Sequence, residues 1–372
     1  MENELTKLVI DLALEIQQIP APTFEEGERA AFVRAKFLEM GLSDVETDAA
    51  GNVYARLQGG DAPPLVVSAH LDTVFGRETD LRLRREGERV YGPGIGDNSM
   101  GVAALIGLAA AFRSRPSPLA GDAWFVANTC EEGLGDLRGM KAVVERFGAG
   151  VTGYLIIEGA ALGCVYRRAV GVRRYRIAAK TGGGHAWSDY GQPSAVHELA
   201  ALAARIASLA LPRSPRTTLN VGKIAGGTSV NTIAAEAWLE LDMRSDSPSS
   251  LAELASSVDA LVAAANRPEV RVEAQPIGSR PAGEIPSDHP LVELAVVCTR
   301  AQGIEPSLIG GSTDANAPLS RGLPAVVMGV TKGGGAHTSN EFVETGFVEK
   351  GMAALAKFVE GAFRHSTIYS DD

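Results

Sequence analysis

Four apolar runs in this chain are continuous rather than alternating: Leu65-Val66-Val67, and the segments 123–128, 153–157 and 325–329. Successive side chains on a strand point to opposite faces, so a run without polar members is buried on both. That situation arises inside a parallel sheet covered by helices on each side. Helical spacing separates the runs at 101–113 and 139–147. It also precedes them at 5–17 and at 25–40, the latter stopped by Gly41. With a further strand at 53–57, the alternation predicts an α/β fold whose mostly parallel mixed sheet is flanked by helices.

The pattern changes after Gly163. Segment 170–181 alternates, with charged residues on one side, as in a sheet solvated on one face. A helix at 194–209, strands at 217–224 and 236–244, a helix at 249–266 and a strand at 269–275 follow. This β-α-β-β-α-β order is a split βαβ, a four-stranded α+β unit. After Pro281 the first pattern resumes with a helix at 291–302, the strand at 325–329 and a helix at 345–363. The expected organisation is a discontinuous domain, 1–166 and 282–372, interrupted by a domain at 167–281.

Composition narrows the function. A net charge of −10 and a pI near 5.3 argue against a nucleic-acid partner, which needs a concentrated basic surface. The arginines between Arg167 and Arg176 are interleaved with Val and Tyr and fit the wet face of a strand. No apolar run is expected to be long enough to span a membrane, and Met1–Lys7 carries two acids, unlike a secretory signal. The cysteines, Cys130, Cys164 and Cys298, are odd in number and lack CxxC spacing. They fit a reducing compartment, with the cytoplasm as the expected location.

Ionisable residues stand where the buried runs end, the edge at which open α/β sheets place their sites. They are His70 with Asp72, Asp97 in Gly94-Ile95-Gly96-Asp97-Asn98, the adjacent Glu131 and Glu132, Glu158, and His337 after three glycines. Each alone has a plain structural explanation, such as a helix cap or a solvated loop. Two adjacent carboxylates at a buried strand end are costly unless cations neutralise them. Together, imidazole and carboxylate donors at one sheet edge suit Zn²⁺, Mn²⁺ or Co²⁺. Asp97, Glu132 and Glu158 would supply about −3 against the about +4 of a metal pair, leaving it electrophilic.

In order, the segments HLDT, GIGDN, CEEG, IEG and AHT resemble those of the M20 metallopeptidases and amidohydrolases, which include carboxypeptidase G2, tripeptidase and acetylornithine deacetylase. The inserted domain is similar too. The resemblance implies two divalent ions, Zn²⁺ first, with Mn²⁺ or Co²⁺ as alternatives. It implies that His70, Asp97 and Glu158 hold one ion, and that Asp97 bridges to a second held by Glu132 and His337. Glu131 would be the general base and Asp72 would orient His70. Residues 167–281 would act as a lid and homodimer interface, with His185 reaching a partner's site to stabilise the oxyanion. Asn231 and Arg244 resemble substrate contacts of the family. Separately, Gly334 and Gly335 (with Gly310, Gly311 and Gly333) are expected to line a pocket floor shaped by Thr313 and Asp314. Many relatives carry Lys where this chain has Ser99, a position that is not a ligand. No role falls to His197, His289 or His365, and Trp124, Trp187 and Trp238 are expected to serve core or lid packing rather than as stacking platforms.

The leading expectation is hydrolysis of an amide bond in a short peptide. Its nearest rival keeps the metals and takes N-acyl or N-carbamoyl amino acids. A catalytically inactive binding protein would have lost Glu131 or a ligand, and none is missing. A two-metal phosphatase would want basic residues near the site, and the motif segments hold almost none.

Overall fold

Leu65, Val66 and Val67 lie at zero exposure within a strand that runs Ala62–His70 and ends on a histidine. In the computed structural model, which describes residues 2–365, this strand is flanked by two parallel neighbours, Gly121–Asn128 and Gly153–Glu158. Burying each such side chain contributes about 1.5–3 kcal/mol, so the strand is fixed by its apolar part and not by its polar end. Strand order in the nine-stranded sheet is Ser43–Thr47, Val53–Leu57, Gly121–Asn128, Ala62–His70, Gly153–Glu158, Ala325–Gly329, Cys164–Ala169 and Gly283–Glu284, with Ser307–Gly311 also paired to Cys164–Ala169. The central pairings are parallel, and the two outermost at the N-terminal side are antiparallel. His70 sits opposite Asn128, so the ends of these strands meet at one edge.

Helices Met100–Arg113 and Val348–His365 pack on this sheet, and Glu2–Gln17 packs on those two helices. Segment Ile95–Arg113 is, against expectation, long and apolar enough in composition to match a membrane span. It is apolar because it is the buried core helix: nearly every residue from Met100 to Ala109 is covered.

The described chain divides into two compact units, one up to Ala169 and from Glu284, the other Val170–Gly283. The first division falls beyond residue 166 because Cys164–Ala169 stays hydrogen-bonded to Ser307–Gly311 in the large sheet. Residues 1 and 366–372 of the expected outer domain lie outside the described residues. The second unit holds a four-stranded antiparallel sheet ordered Thr217–Gly226, Glu236–Ser245, Gly171–Lys180, Arg271–Arg280. Helices Ala195–Ala207 and Pro248–Ala265 cover one face, the latter capped by Ser247 with Pro248 in its first turn. On Gly171–Lys180, Tyr175, Ile177 and Ala179 are buried, while Arg174 and Arg176 face Asp242 and Glu240 at 2.9 and 3.2 Å. Trp238 is partly buried beneath Arg176, and Trp124 packs on Phe147. Trp187 departs from expectation: it is 89% exposed, on the loop after His185.

A small sheet missed in the sequence brings Gly333–Gly334, Phe342–Glu344 and Arg89–Tyr91 side by side. Its strands are two or three residues long, too short for a periodicity to register. The loop between its first two members carries His337.

Candidate metal centre

The acidic and imidazole groups at the sheet edge are delivered by five separate segments. His70 ends its strand and Glu158 ends the neighbouring one. Glu131 and Glu132 follow Asn128 through Cys130, whose φ of 57° turns the chain in the left-handed region. Asp97 lies in the turn Ile95–Ser99 before the core helix. His337 also has a left-handed backbone, φ 65°. Non-glycine residues held there are uncommon and cluster at functional sites.

These groups converge. His70 Nε2 lies 3.1 Å from Asp97 Oδ1 and 3.8 Å from Glu158 Oε2. His337 Nε2 lies 3.1 Å from both Asp97 Oδ2 and Glu132 Oε1. Two groups of three donors result, His70–Asp97–Glu158 and Asp97–Glu132–His337, each with its atoms within 4.8 Å of one another. Asp97 belongs to both.

The electrostatics fit a cation pair. Burial disfavours charge on His70, but the carboxylates of Asp72, Asp97 and Glu158 outweigh it and hold its pKa well above the ordinary value. Asp97 and Glu132 raise His337 to about 10. Glu158 is pushed up by burial and by the charges of Asp97 and Glu132. Burial opposes the ionisation of Asp97, yet His337 and His70 hold it below its ordinary range. Imidazole nitrogen and carboxylate oxygen are the donors that divalent cations take, and such cations would neutralise the carboxylates gathered here.

Surrounding residues fix the ligands. Asp72 is fully buried; Oδ1 accepts from the Glu131 N–H at 2.9 Å. Oδ2 accepts from the Glu132 N–H at 2.8 Å and the Thr23 hydroxyl at 2.9 Å. The expected orientation of His70 by the Asp72 side chain is therefore only part of the picture. His70 Nδ1 lies closer to the Asp72 carbonyl, 3.1 Å, than to its carboxylate, 3.5 Å, because that carboxylate serves the Glu131–Glu132 turn. Arg29, buried, donates to the carbonyls of Leu71 and Ile19, and Glu26 accepts from the Cys130 N–H at 3.0 Å. Asn98 ties the Asp97 turn to the Glu158 strand, donating to the Ile157 carbonyl and accepting from the Gly159 N–H, both at 2.9 Å. A Cβ on Gly159 would fall 2.3 Å from the Gly96 carbonyl oxygen, so only glycine admits the turn there.

Glu341 was not singled out in the sequence. It is 1% exposed and accepts from the N–H groups of Gly94, Gly96 and Asp97 at 3.0, 2.7 and 2.8 Å. Burial pushes its pKa up to about 7. Asp314 is also fully buried and its pKa is raised to about 7 by burial; it accepts from Asn128 Nδ2 at 2.7 Å.

The remaining expected residues lie as follows. Gly334 and Gly335 sit beside the His337 loop, and a Cβ at either would crowd the Phe342 ring or the Asn340 carbonyl, at 3.1 and 2.8 Å. Ser99 is fully buried at the start of the core helix. In the second unit, His185 is exposed on a two-residue ribbon paired with Thr232–Ile233. Its Nδ1 accepts from the N–H groups of Trp187 and Ser188 at 3.2 and 3.3 Å, which leaves the proton of the neutral ring on Nε2. Asn231 is exposed, its side-chain oxygen accepting from Ser229. Arg244 is exposed and one edge of its guanidinium is engaged by Asp242, at 2.7 and 3.3 Å.

Comparison with known proteins identifies the family and the fold. The model of peptidase family M20/M25/M40 matches residues 66–361. A putative succinyl-diaminopimelate desuccinylase DapE of Mycobacterium tuberculosis is 26% identical over 365 residues, covering 95% of this chain and 98% of that protein. A tripeptidase from Staphylococcus aureus has the same fold, with a TM-score of 0.81 at 22% identity over 97% of this chain and 99% of its own. So does YXEP of Bacillus subtilis, described as a dinuclear metal-binding peptidase, with a TM-score of 0.67 at 16% identity over 96% and 98%.

Proposed function

This chain belongs to peptidase family M20/M25/M40, and from that premise we propose that it is a two-metal hydrolase cleaving an amide bond in a short peptide. The observation that carries the reading is the position of Asp97, one carboxylate oxygen beside each of two donor groups. His70, Asp97 and Glu158 would hold one divalent cation, and Asp97, Glu132 and His337 the other. Zn²⁺ is the proposed ion, with Mn²⁺ or Co²⁺ as substitutes the same donors accept. When bound, the pair would supply Lewis acidity, polarising the scissile carbonyl and acidifying a water.

The chain's own residues do the rest. Glu131 takes the proton from the attacking water as the C–O bond forms, then delivers it to the nitrogen as the C–N bond breaks. Asp72 holds the Glu131 and Glu132 amides, fixing both carboxylates from behind. His185 would donate from Nε2 to the carbonyl oxygen as it gains charge. Asn231 and Arg244 would contact the substrate, the arginine through the part of its fork that Asp242 leaves open, with Gly334 and Gly335 as backbone floor.

A homodimer through the second unit completes the proposal. Trp187, Tyr190, Ile224 and Val230 are more than half exposed on that unit, and Thr217–Gly226 is an edge strand of its sheet. Large exposed apolar groups and an open edge strand are features that pairing of two copies would cover.

A second reading rests on the relative described as a desuccinylase: the same chemistry applied to an N-acyl or N-carbamoyl amino acid. A substrate panel separates them. Faster hydrolysis of di- and tripeptides than of N-acetyl, N-succinyl and N-carbamoyl amino acids supports the peptidase, and the reverse order the deacylase. Metal-loaded protein that cleaves no amide in either set would contradict both.

A further inference from the structure

Glu341 is a buried carboxylate whose three hydrogen-bond donors are all backbone amides, those of Gly94, Gly96 and Asp97. No lysine or arginine neutralises it among these contacts. A charged group buried without a cation is expensive, and such groups concentrate where they organise a site. Its main chain is anchored as well: the carbonyl accepts from the Gly92 N–H at 2.9 Å, and its own N–H donates to the Thr338 carbonyl at 3.2 Å. One residue thereby grips the turn that presents Asp97 and closes the loop that presents His337. Asn98 performs the matching task on the other side, toward Glu158.

We propose that Glu341 is a positioning residue that locks the Asp97 turn to the His337 loop and so sets the spacing of the two donor groups. The inference rests on the metal-centre reading above. A glutamine of the same size has one oxygen in place of two, so at least one of the three amides would face an N–H instead of an acceptor. Loss of a group that orients ligands typically weakens metal affinity about 10–100-fold.

The test uses full-length Glu341→Gln, Glu341→Ala and Glu341→Asp. Co²⁺ affinity, the visible spectrum of the Co²⁺-loaded protein and amide exchange at Gly96 and Asp97 are measured for each. The expected result is Co²⁺ affinity lowered about 10–100-fold in the glutamine and alanine variants, with a changed spectrum and faster exchange at both amides. The aspartate variant, one methylene short but still a carboxylate, should recover part of the affinity. Glutamine and alanine variants with affinity within about twofold of the parent and an unchanged spectrum would overturn the proposal. If the alanine variant does not fold, the isosteric glutamine variant decides. If the parent binds no divalent ion, the metal reading fails by itself, and unchanged exchange at Gly96 and Asp97 then overturns the clamp independently.

Discussion

The two carboxylate oxygens of Asp97 face different histidines: Oδ1 lies 3.1 Å from His70 Nε2 and Oδ2 3.1 Å from His337 Nε2. A single side chain therefore ties the end of the central strand to the loop of the small sheet. Replacing Asp97 with Asn keeps the shape and removes the charge and one acceptor. The expected outcome is loss of tight binding of both ions, measured as metal content after gel filtration. Retention of a full metal pair would contradict the bridging role.

Glu131 lies outside both donor groups yet in the same turn as Glu132. Glu131→Ala should reduce turnover by about 10²–10⁴-fold, the usual weight of a general base, while metal content stays at the parental level. Near-normal turnover in the variant would remove Glu131 from the mechanism.

If His185 serves the site of a partner copy, two inactive variants should rescue one another. Mixed dimers of Glu131→Ala and His185→Ala contain one site with both residues intact. Activity should rise on mixing after subunit exchange. Unchanged activity in verified mixed dimers would place His185 elsewhere.

The sequence carried most of this site and little of what supports it. His70, Glu131–Glu132 and Glu158 follow apolar runs whose continuity marks the sheet interior, so their common edge was readable from pattern alone. Asp97 and His337 were readable as glycine-flanked motifs, but not their shared contact, which depends on strands as short as Gly333–Gly334. Glu341 left no signal, because a carboxylate between Asn340 and Phe342 reads as a solvated loop until three amides are found to surround it. Trp187 misled for the opposite reason: tryptophan usually indicates a core, and here it lies on an exposed loop. The extent of Cys164–Ala169 was obscured by Tyr166, Arg167 and Arg168, polar residues in a strand only partly covered.

Asp314 gives a pH signature. Its pKa is raised by burial to about 7, against about 3.9 when unfolded. The native state therefore keeps a proton that the unfolded chain releases. The stability contribution is complete below about pH 4 and is lost as pH rises toward about 7. Asp314→Asn keeps an oxygen for Asn128 Nδ2 and cannot titrate. In metal-free protein, the variant should gain on the parent in thermal stability across that window and plateau above it. Parallel profiles for the two would show that Asp314 is ionised in the fold.

The account turns on a cation pair held around Asp97, and amide-bond cleavage by chelator-stripped protein titrated with Zn²⁺ tests it most directly. No cleavage without metal and a rise that ends at two equivalents per chain is the predicted result. Turnover that survives complete removal of metal, or a stripped protein that takes up none, would contradict it.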